Sequence, residues 1–257
     1  MAKLSAVIIT FNEIVHVSQL IENLNFVDEI VVVDSFSNDG TFEKLKEYKT
    51  IKLFQKQFEN FPNQKNFALS KTENDWVLFI DADERIKEKG KKEIIELIQH
   101  TDKVAFWAKF NYYFKDKRLR FSGFQTTKTV RVFDKTKCHY DESILVHEVL
   151  RFNGETGMLK NKIDHYSIRN YTHYKSKMIR YANLKAVNHF NRNKKMGAIM
   201  MVFKTVYRFV NHYFIRLGIL DGLTGLQISY LNAMGIYYRY KKLRELYNSK
   251  KNNLLPE

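Results

Sequence analysis

The chain has 257 residues, 44% of them hydrophobic, which is enough to bury a sizeable core and excludes disorder as its main state. With 43 Lys plus Arg against 28 Asp plus Glu, the formal charge of +15 asks for an anionic partner: nucleic acid, a phosphorylated small molecule or an anionic membrane. A single cysteine, Cys138, excludes an internal disulfide framework and a Cys-based zinc site, and fits a reducing compartment.

Only eight mostly apolar residues, 4–11, follow the first three before Asn12 and Glu13, too few for a signal-peptide core or a spanning helix. A cytoplasmic protein is therefore expected. Residues 4–10 and 29–33 are short runs rich in Val and Ile, as expected for strands buried on both faces. Between them Val17, Leu20, Ile21 and Leu24 recur at helical spacing. An amphipathic segment follows Gly40, then come a strand at 51–54, a helix at 63–70 and a strand at 76–80. This alternation predicts a parallel α/β sheet. After a polar helix at 87–100, the aromatic and β-branched pieces 104–114, 118–124 and 129–133 predict a strand-rich second half of the same sheet, and from Asn170 onward the pattern is helical.

Charge divides the chain more sharply than secondary structure does. Residues 1–100 carry 13 basic and 17 acidic side chains, whereas the eleven lysines and arginines from Arg169 to Arg216 meet no acid between residues 165 and 220. Two prolines and no Gly/Ser-rich stretch leave no flexible linker, and the expected division is 1–165 for an α/β domain and 166–257 for a helical region.

Ligands of open α/β sheets bind beyond the carboxyl ends of the strands. Three strand ends are polar there: Thr10-Phe11-Asn12-Glu13, Asp34 to Thr41, and Asp81-Ala82-Asp83-Glu84. If strand geometry persists through the last of these, Asp81 and Asp83 point the same way and offer hard oxygens to Mg²⁺ or Mn²⁺. Helix capping is the structural alternative for any one strand-end Asp. Neither GxGxxG nor GxxxxGK[ST] is present, which excludes the glycine-based phosphate cradles.

Val7 to Glu13, Val31 to Thr41 and Phe79 to Glu84 together resemble the three successive motifs of family 2 glycosyltransferases with the GT-A fold. The resemblance implies an α/β nucleotide-diphospho-sugar transferase fold with a mostly parallel, Rossmann-like sheet. It also implies sugar transfer from a nucleotide donor to an acceptor hydroxyl with inversion. Thr10, Phe11 and Glu13 would then line the nucleoside pocket and Asp34 would contact base or ribose. Asp81-Ala82-Asp83 would be the DxD motif, with Asp83 the direct metal ligand and Asp81 nearer the ribose. The chain departs from the family in having Ser35 where a second acid often follows Asp34. Lys65 is either a phosphate partner, as the resemblance implies, or a solvated lysine. Arg131 is either a donor contact or an ordinary exposed strand residue.

Inversion needs a base near the acceptor hydroxyl. Val146-His147-Glu148 resembles the His-Glu pair at the base position of glycosyltransferases of lipopolysaccharide core biosynthesis, which makes Glu148 the candidate base, with Asp141 and Glu142 next. His147 would orient it or be structural. The same relatives resemble the chain around Asp221 to Gly225, and UDP-glucose is the donor the resemblance suggests.

Lys204, Arg208, His212 and Arg216 are spaced by four and form one helical stripe beside many apolar positions. That design fits either a helix in an anionic membrane interface or a helix packed on the catalytic domain. Three other classes compete with the transferase. A nucleic-acid module would leave the acidic strand ends unexplained, a sugar nucleotidyltransferase would have a glycine-rich basic N-terminal loop, and an inactive membrane scaffold would leave the DxD cluster idle. The expectation is thus a metal-dependent glycosyltransferase, peripheral on the inner face of the cytoplasmic membrane, with a lipid-linked or lipopolysaccharide acceptor and no nucleic-acid partner.

Overall fold

A computed structural model describes residues 1–142 and 149–251. The chain forms two compact units, one of residues 1–110 and 127–165, the other of residues 111–126 and 166–257.

The first unit opens with β1 (Leu4–Thr10), α1 (Ile14–Asn23), β2 (Glu29–Asp34), α2 (Thr41–Lys46), β3 (Ile51–Gln55), α3 (Phe61–Ser70) and β4 (Trp76–Phe79). β1, β2, β3 and β4 pair in parallel in the order β3-β2-β1-β4. Leu4, Ala6, Val7 and Val31 to Val33 are fully buried, as strands covered on both faces require. Asn60 caps α3 through Asn63 N–H and Pro62 occupies its first turn, so this helix starts where its sequence can satisfy the end.

The chain continues through β5 (Glu84–Arg85), α4 (Glu88–Gln99), β6 (Ala105–Phe114), β7 (Lys117–Leu119), β8 (Lys128–Asp134), β9 (Cys138–Tyr140), β10 (Leu150–Phe152), β11 (Thr156–Met158) and β12 (Ile163–Ile168). β8 runs antiparallel to β4 and to β6, extending the sheet as β4-β8-β6-β12-β5. This is the strand-rich continuation expected from 104–114 and 129–133; of the piece expected at 118–124 only the start is strand, in β7, and Phe124–Thr126 is a 3₁₀ turn. Val77, Phe79, Val130 and Phe133 fill the core between sheet and helices with Ala68 and Leu69 of α3.

The second unit contains the end of β6 paired with β7, then α5 (Tyr171–Asn191), α6 (Ala198–Val210), a π turn at Asn211–Ile215, a 3₁₀ turn at Gly218–Asp221 and α7 (Leu223–Lys251). α5 packs along α7, where Ala186 joins Met201 of α6 and Ile236, Tyr240 and Leu243 of α7 in one buried cluster. Buried Asp221 accepts the Arg120 and Phe121 N–H groups at 3.0 Å each. A Cβ on Gly225 would lie 1.8 Å from the Gly218 carbonyl oxygen, so α7 can begin there only with glycine. Among the described residues, no helix is long and apolar enough to cross a membrane.

One expectation for this unit is corrected. Lys204, Arg208, His212 and Arg216 do not form one continuous stripe: α6 ends at Val210 and passes into the π turn, where His212 is buried with Nδ1 2.9 Å from the Ser122 carbonyl oxygen, while Arg208 and Arg216 are exposed. Burial, with Arg208 beside it, pushes His212 down to about 4, so it is neutral at physiological pH.

Candidate active site

Register places the end of β1 beside the end of β2, with Thr10 opposite Asp34. The loops that follow are joined: Asn12 N–H donates to Ser37 Oγ, Asn38 N–H to Asn12 Oδ1 and Glu13 N–H to Thr41 Oγ1, each at 2.9 Å. Asp34 is fully buried and accepts from Ser37 N–H and from Gln55 Nε2 of β3. Gln64 of α3, also fully buried, donates to Ser35 Oγ at 3.1 Å, so Ser35 serves as a hydrogen-bond partner in the place of the acid that often follows Asp34. The Thr10 hydroxyl is buried with no hydrogen-bond partner among the described residues. A buried hydroxyl left unsatisfied costs about 1–3 kcal/mol, a cost that a water or a bound polar group at this strand end removes. Phe11 and Phe36 stand exposed at the ends of β1 and β2, and Phe36, held at φ 59°, is an aromatic that sequence pattern did not single out.

The third strand end departs from expectation. β4 stops at Phe79 and a turn follows, with Glu84 N–H donating to the Asp81 carbonyl at 3.0 Å. Strand alternation therefore does not carry through 81–83, and the two carboxylates take different partners. Asp81 pairs with Arg131 of β8, which also pairs with Glu84. Asp83 Oδ1 lies 3.2 Å from Nε2 of His165, on β12. His165 Nδ1 is 3.7 Å from Glu84 Oε1, and the imidazole packs edge-on against Phe110. His165 was not expected from sequence, because a lone histidine in a strand carries no spacing signal; only the sheet order brings β12 and β5 side by side.

Arg131 is buried, which excludes the exposed-strand reading, and its guanidinium also lies 5.4 Å from the Phe110 ring centroid. Lys65 is buried as well, its Nζ 4.8 Å from the ring centroids of both Phe79 and Tyr140, so it is not a solvated lysine. Asn66, next in α3, donates to Glu142 at 2.9 Å, and Asp141 is 3.1 Å from Arg151. Glu148 and His147 lie outside the described residues.

The charges are mutually adjusted. Burial alone would raise the Asp81 carboxyl, but the positive charges of Arg131 and Lys65 outweigh it and hold Asp81 below the usual carboxylate range. Glu84, with no exposed surface, is pushed up to about 7 by burial that Arg131 only partly offsets. Burial disfavours the His165 cation, yet its bond to Asp83 and the surrounding carboxylates raise its pKa above 6.5. The folded protein therefore holds protons on Glu84 and His165 that the unfolded chain has already released. Without added metal its stability is expected to fall as pH rises from about 4.5 through 7, with the His165 contribution lost last. Thermal unfolding across pH measures this, and Glu84→Gln should flatten the slope below neutrality; a slope unchanged in that variant would assign it to other groups.

Comparison with known proteins now adds to this geometry. The Glycosyl transferase family 2 profile matches residues 5–153. The chain belongs to that family. An uncharacterized glycosyltransferase of Rickettsia felis is 28% identical to this family 2 glycosyltransferase over 98% of the chain and 93% of the relative. The lipopolysaccharide core biosynthesis glycosyltransferase LpsC of Rhizobium meliloti is 27% identical over 92% of this chain and 93% of that one. Among solved structures, residues 1–349 of S. aureus TarS in complex with UDP align with a TM-score of 0.51, 15% identity, 96% coverage of this chain and 92% of that one. That likeness supports the fold: α/β with a mostly parallel sheet and C-terminal helices.

Proposed function

We propose that this glycosyltransferase transfers a hexose, with inversion, from a nucleotide-sugar such as UDP-glucose to a hydroxyl of a lipopolysaccharide core or another lipid-linked glycan. It would do so on the inner face of the cytoplasmic membrane. The observation that carries the reading is the turn after β4, where Asp83 and His165 meet beside an Asp81 already neutralised by Arg131. Likeness to LpsC over nearly the whole chain supports the acceptor class.

A divalent cation, Mg²⁺ or Mn²⁺, suits this donor set. Among the described residues no group of three His, Cys, Asp or Glu side chains is arranged as a metal cage. Mg²⁺ bound with a nucleotide ordinarily takes one or two carboxylates and completes its shell with phosphate oxygens and water. Asp83 and the imidazole of His165 would hold it, and Asp81, occupied by Arg131, would serve the ribose more than the metal. When bound, the ion would offset charge growing on the departing diphosphate. Thr10, Phe11, Glu13 and Asp34 would line the nucleoside pocket, with the orphaned Thr10 hydroxyl supplying a hydrogen bond. Lys65 would add positive charge near the phosphates. Arg131 would act on the donor through the carboxylates it orients. Glu148 would accept the proton of the acceptor hydroxyl as the new glycosidic bond forms.

A screen of nucleotide-sugars with and without Mn²⁺, read by hydrolysis and thermal shift, tests the reading. One donor should raise Tm by about 5 °C only when the cation is present. Glu148→Gln should keep that shift and lose transfer by about 10²–10⁴-fold. Should no nucleotide-sugar be bound or cleaved, the assignment fails; a Glu148→Gln variant with full transfer moves the base to another acid.

A further inference from the structure

In the second unit, α6 is turned inside out. Ile199, Val202, Phe203, Val206, Tyr207 and Val210 recur at alternating steps of three and one, a continuous apolar stripe along one face. These six side chains are between 37% and 88% exposed. The other face is the one that packs. Met201 is buried among Ala186, Ile236 and Leu243, and Lys204 Nζ sits 5.6 Å from the Tyr240 ring centroid. A helix of a water-soluble unit ordinarily does the reverse.

The exposed apolar surface does not end with α6. Phe214, Ile215, Leu220 and Leu223 follow, each more than half exposed. More than half of the exposed large apolar side chains among the described residues fall between Ile199 and Tyr230, a concentration that single scattered side chains do not explain. Exposed cations flank it: Arg192, Lys194 and Lys195 precede the helix, and Arg208 and Arg216 lie within and after it. No acid occurs from residue 165 to 220.

We infer that this stripe is a membrane-attachment surface that lies in the interface of an anionic bilayer, its apolar side chains among the acyl chains and its flanking cations among the headgroup phosphates. The observations single out a lipid surface because it presents apolar and anionic layers side by side. A second copy would bring the same uncompensated cations face to face, which like-charge repulsion opposes. No described helix is long and apolar enough to cross, so α6 lies in the plane. This deepens the proposed reading by naming the face that meets the membrane, and rests on that reading only for why the enzyme would be there.

Flotation of the full chain with phosphatidylglycerol/phosphatidylethanolamine vesicles, against phosphatidylcholine vesicles, tests the inference. Binding to the anionic vesicles is expected at ~0.1 M salt and weakens at ~0.5 M. The double variant F203D/V206D, altered only at exposed positions, should lose about tenfold or more of the bound fraction. Phe203→Trp should show blue-shifted emission on vesicle addition and quenching by brominated acyl chains. No binding by the unaltered chain, equal binding by F203D/V206D, or no shift in Phe203→Trp overturns the inference. So does a double variant that turns a dimer into a monomer on gel filtration while still floating, which would make the stripe an interface between copies. Nucleotide-sugar hydrolysis by the same preparations in vesicle-free buffer separates the two claims: turnover without flotation defeats only the attachment surface, and flotation without turnover defeats only the transferase assignment.

Discussion

Asp83→Ala is expected to lower Mn²⁺-dependent turnover about a thousandfold while the protein stays folded. The large loss follows from where the carboxylate sits. It is the acid of the turn after β4 that faces His165, while Asp81 faces Arg131. Removing it deletes one of the two protein donors proposed for the cation. The fold should survive because Asp83 occupies a turn, its side chain 21% exposed, and the Arg131 pairs to Asp81 and Glu84 are left in place. The same variant has a signature independent of turnover. His165 loses the hydrogen bond and charge that raise its pKa, so its titration, followed by NMR, should move down. Full metal-dependent turnover in Asp83→Ala would remove this residue from the metal site, and an unmoved His165 would show that the Asp83 contact does not hold in solution.

The second large effect is on stability. Arg131→Met leaves Glu84, fully buried, and Asp81, partly exposed, with no guanidinium between them. Deleting one partner of a buried ion pair typically costs 3–5 kcal/mol; the exposure of Asp81 discounts its share, so a loss of about 3 kcal/mol is expected in urea denaturation at pH 8. At pH 5 the loss should be smaller. Glu84 already titrates near 7 with Arg131 present, and without it the carboxyl would be protonated there and carry no charge to strand. Arg131→Lys should fall between, since an ammonium restores charge without the planar fork. A variant as stable as the parent at pH 8 would mean that water, not Arg131, satisfies these carboxylates.

Sequence pattern went far in the first part of the chain. β1 was bounded as observed and the strands at 29–33, 51–54 and 76–80 to within a residue, because strands buried on both faces read as short Val/Ile runs whatever surrounds them. The three polar strand ends were legible for the same reason: a change from apolar to acidic residues marks where a strand leaves the core. The short hairpin of β9 and β10 was not legible, since three-residue strands have too few positions to show a period.

The sequence by itself determined the class of this protein. Its alternating elements and acidic strand ends lead to an α/β sheet with a polar site at the strand ends, and the resemblance of its three motifs to those of family 2 glycosyltransferases supplies the class before any coordinate is known. Tertiary structure alone decided which groups meet. His165 lies more than eighty residues from Asp83 and reaches it because β12 pairs with β5, a long-range pairing that no local pattern encodes. Arg131 pairs with Asp81 and Glu84 because β8 lies beside β4 in the sheet. The two faces of α6 were visible as a period in the sequence, but which face turns inward depends on what α7 offers it. Met201 and Lys204 find partners there, and the apolar stripe is left facing out.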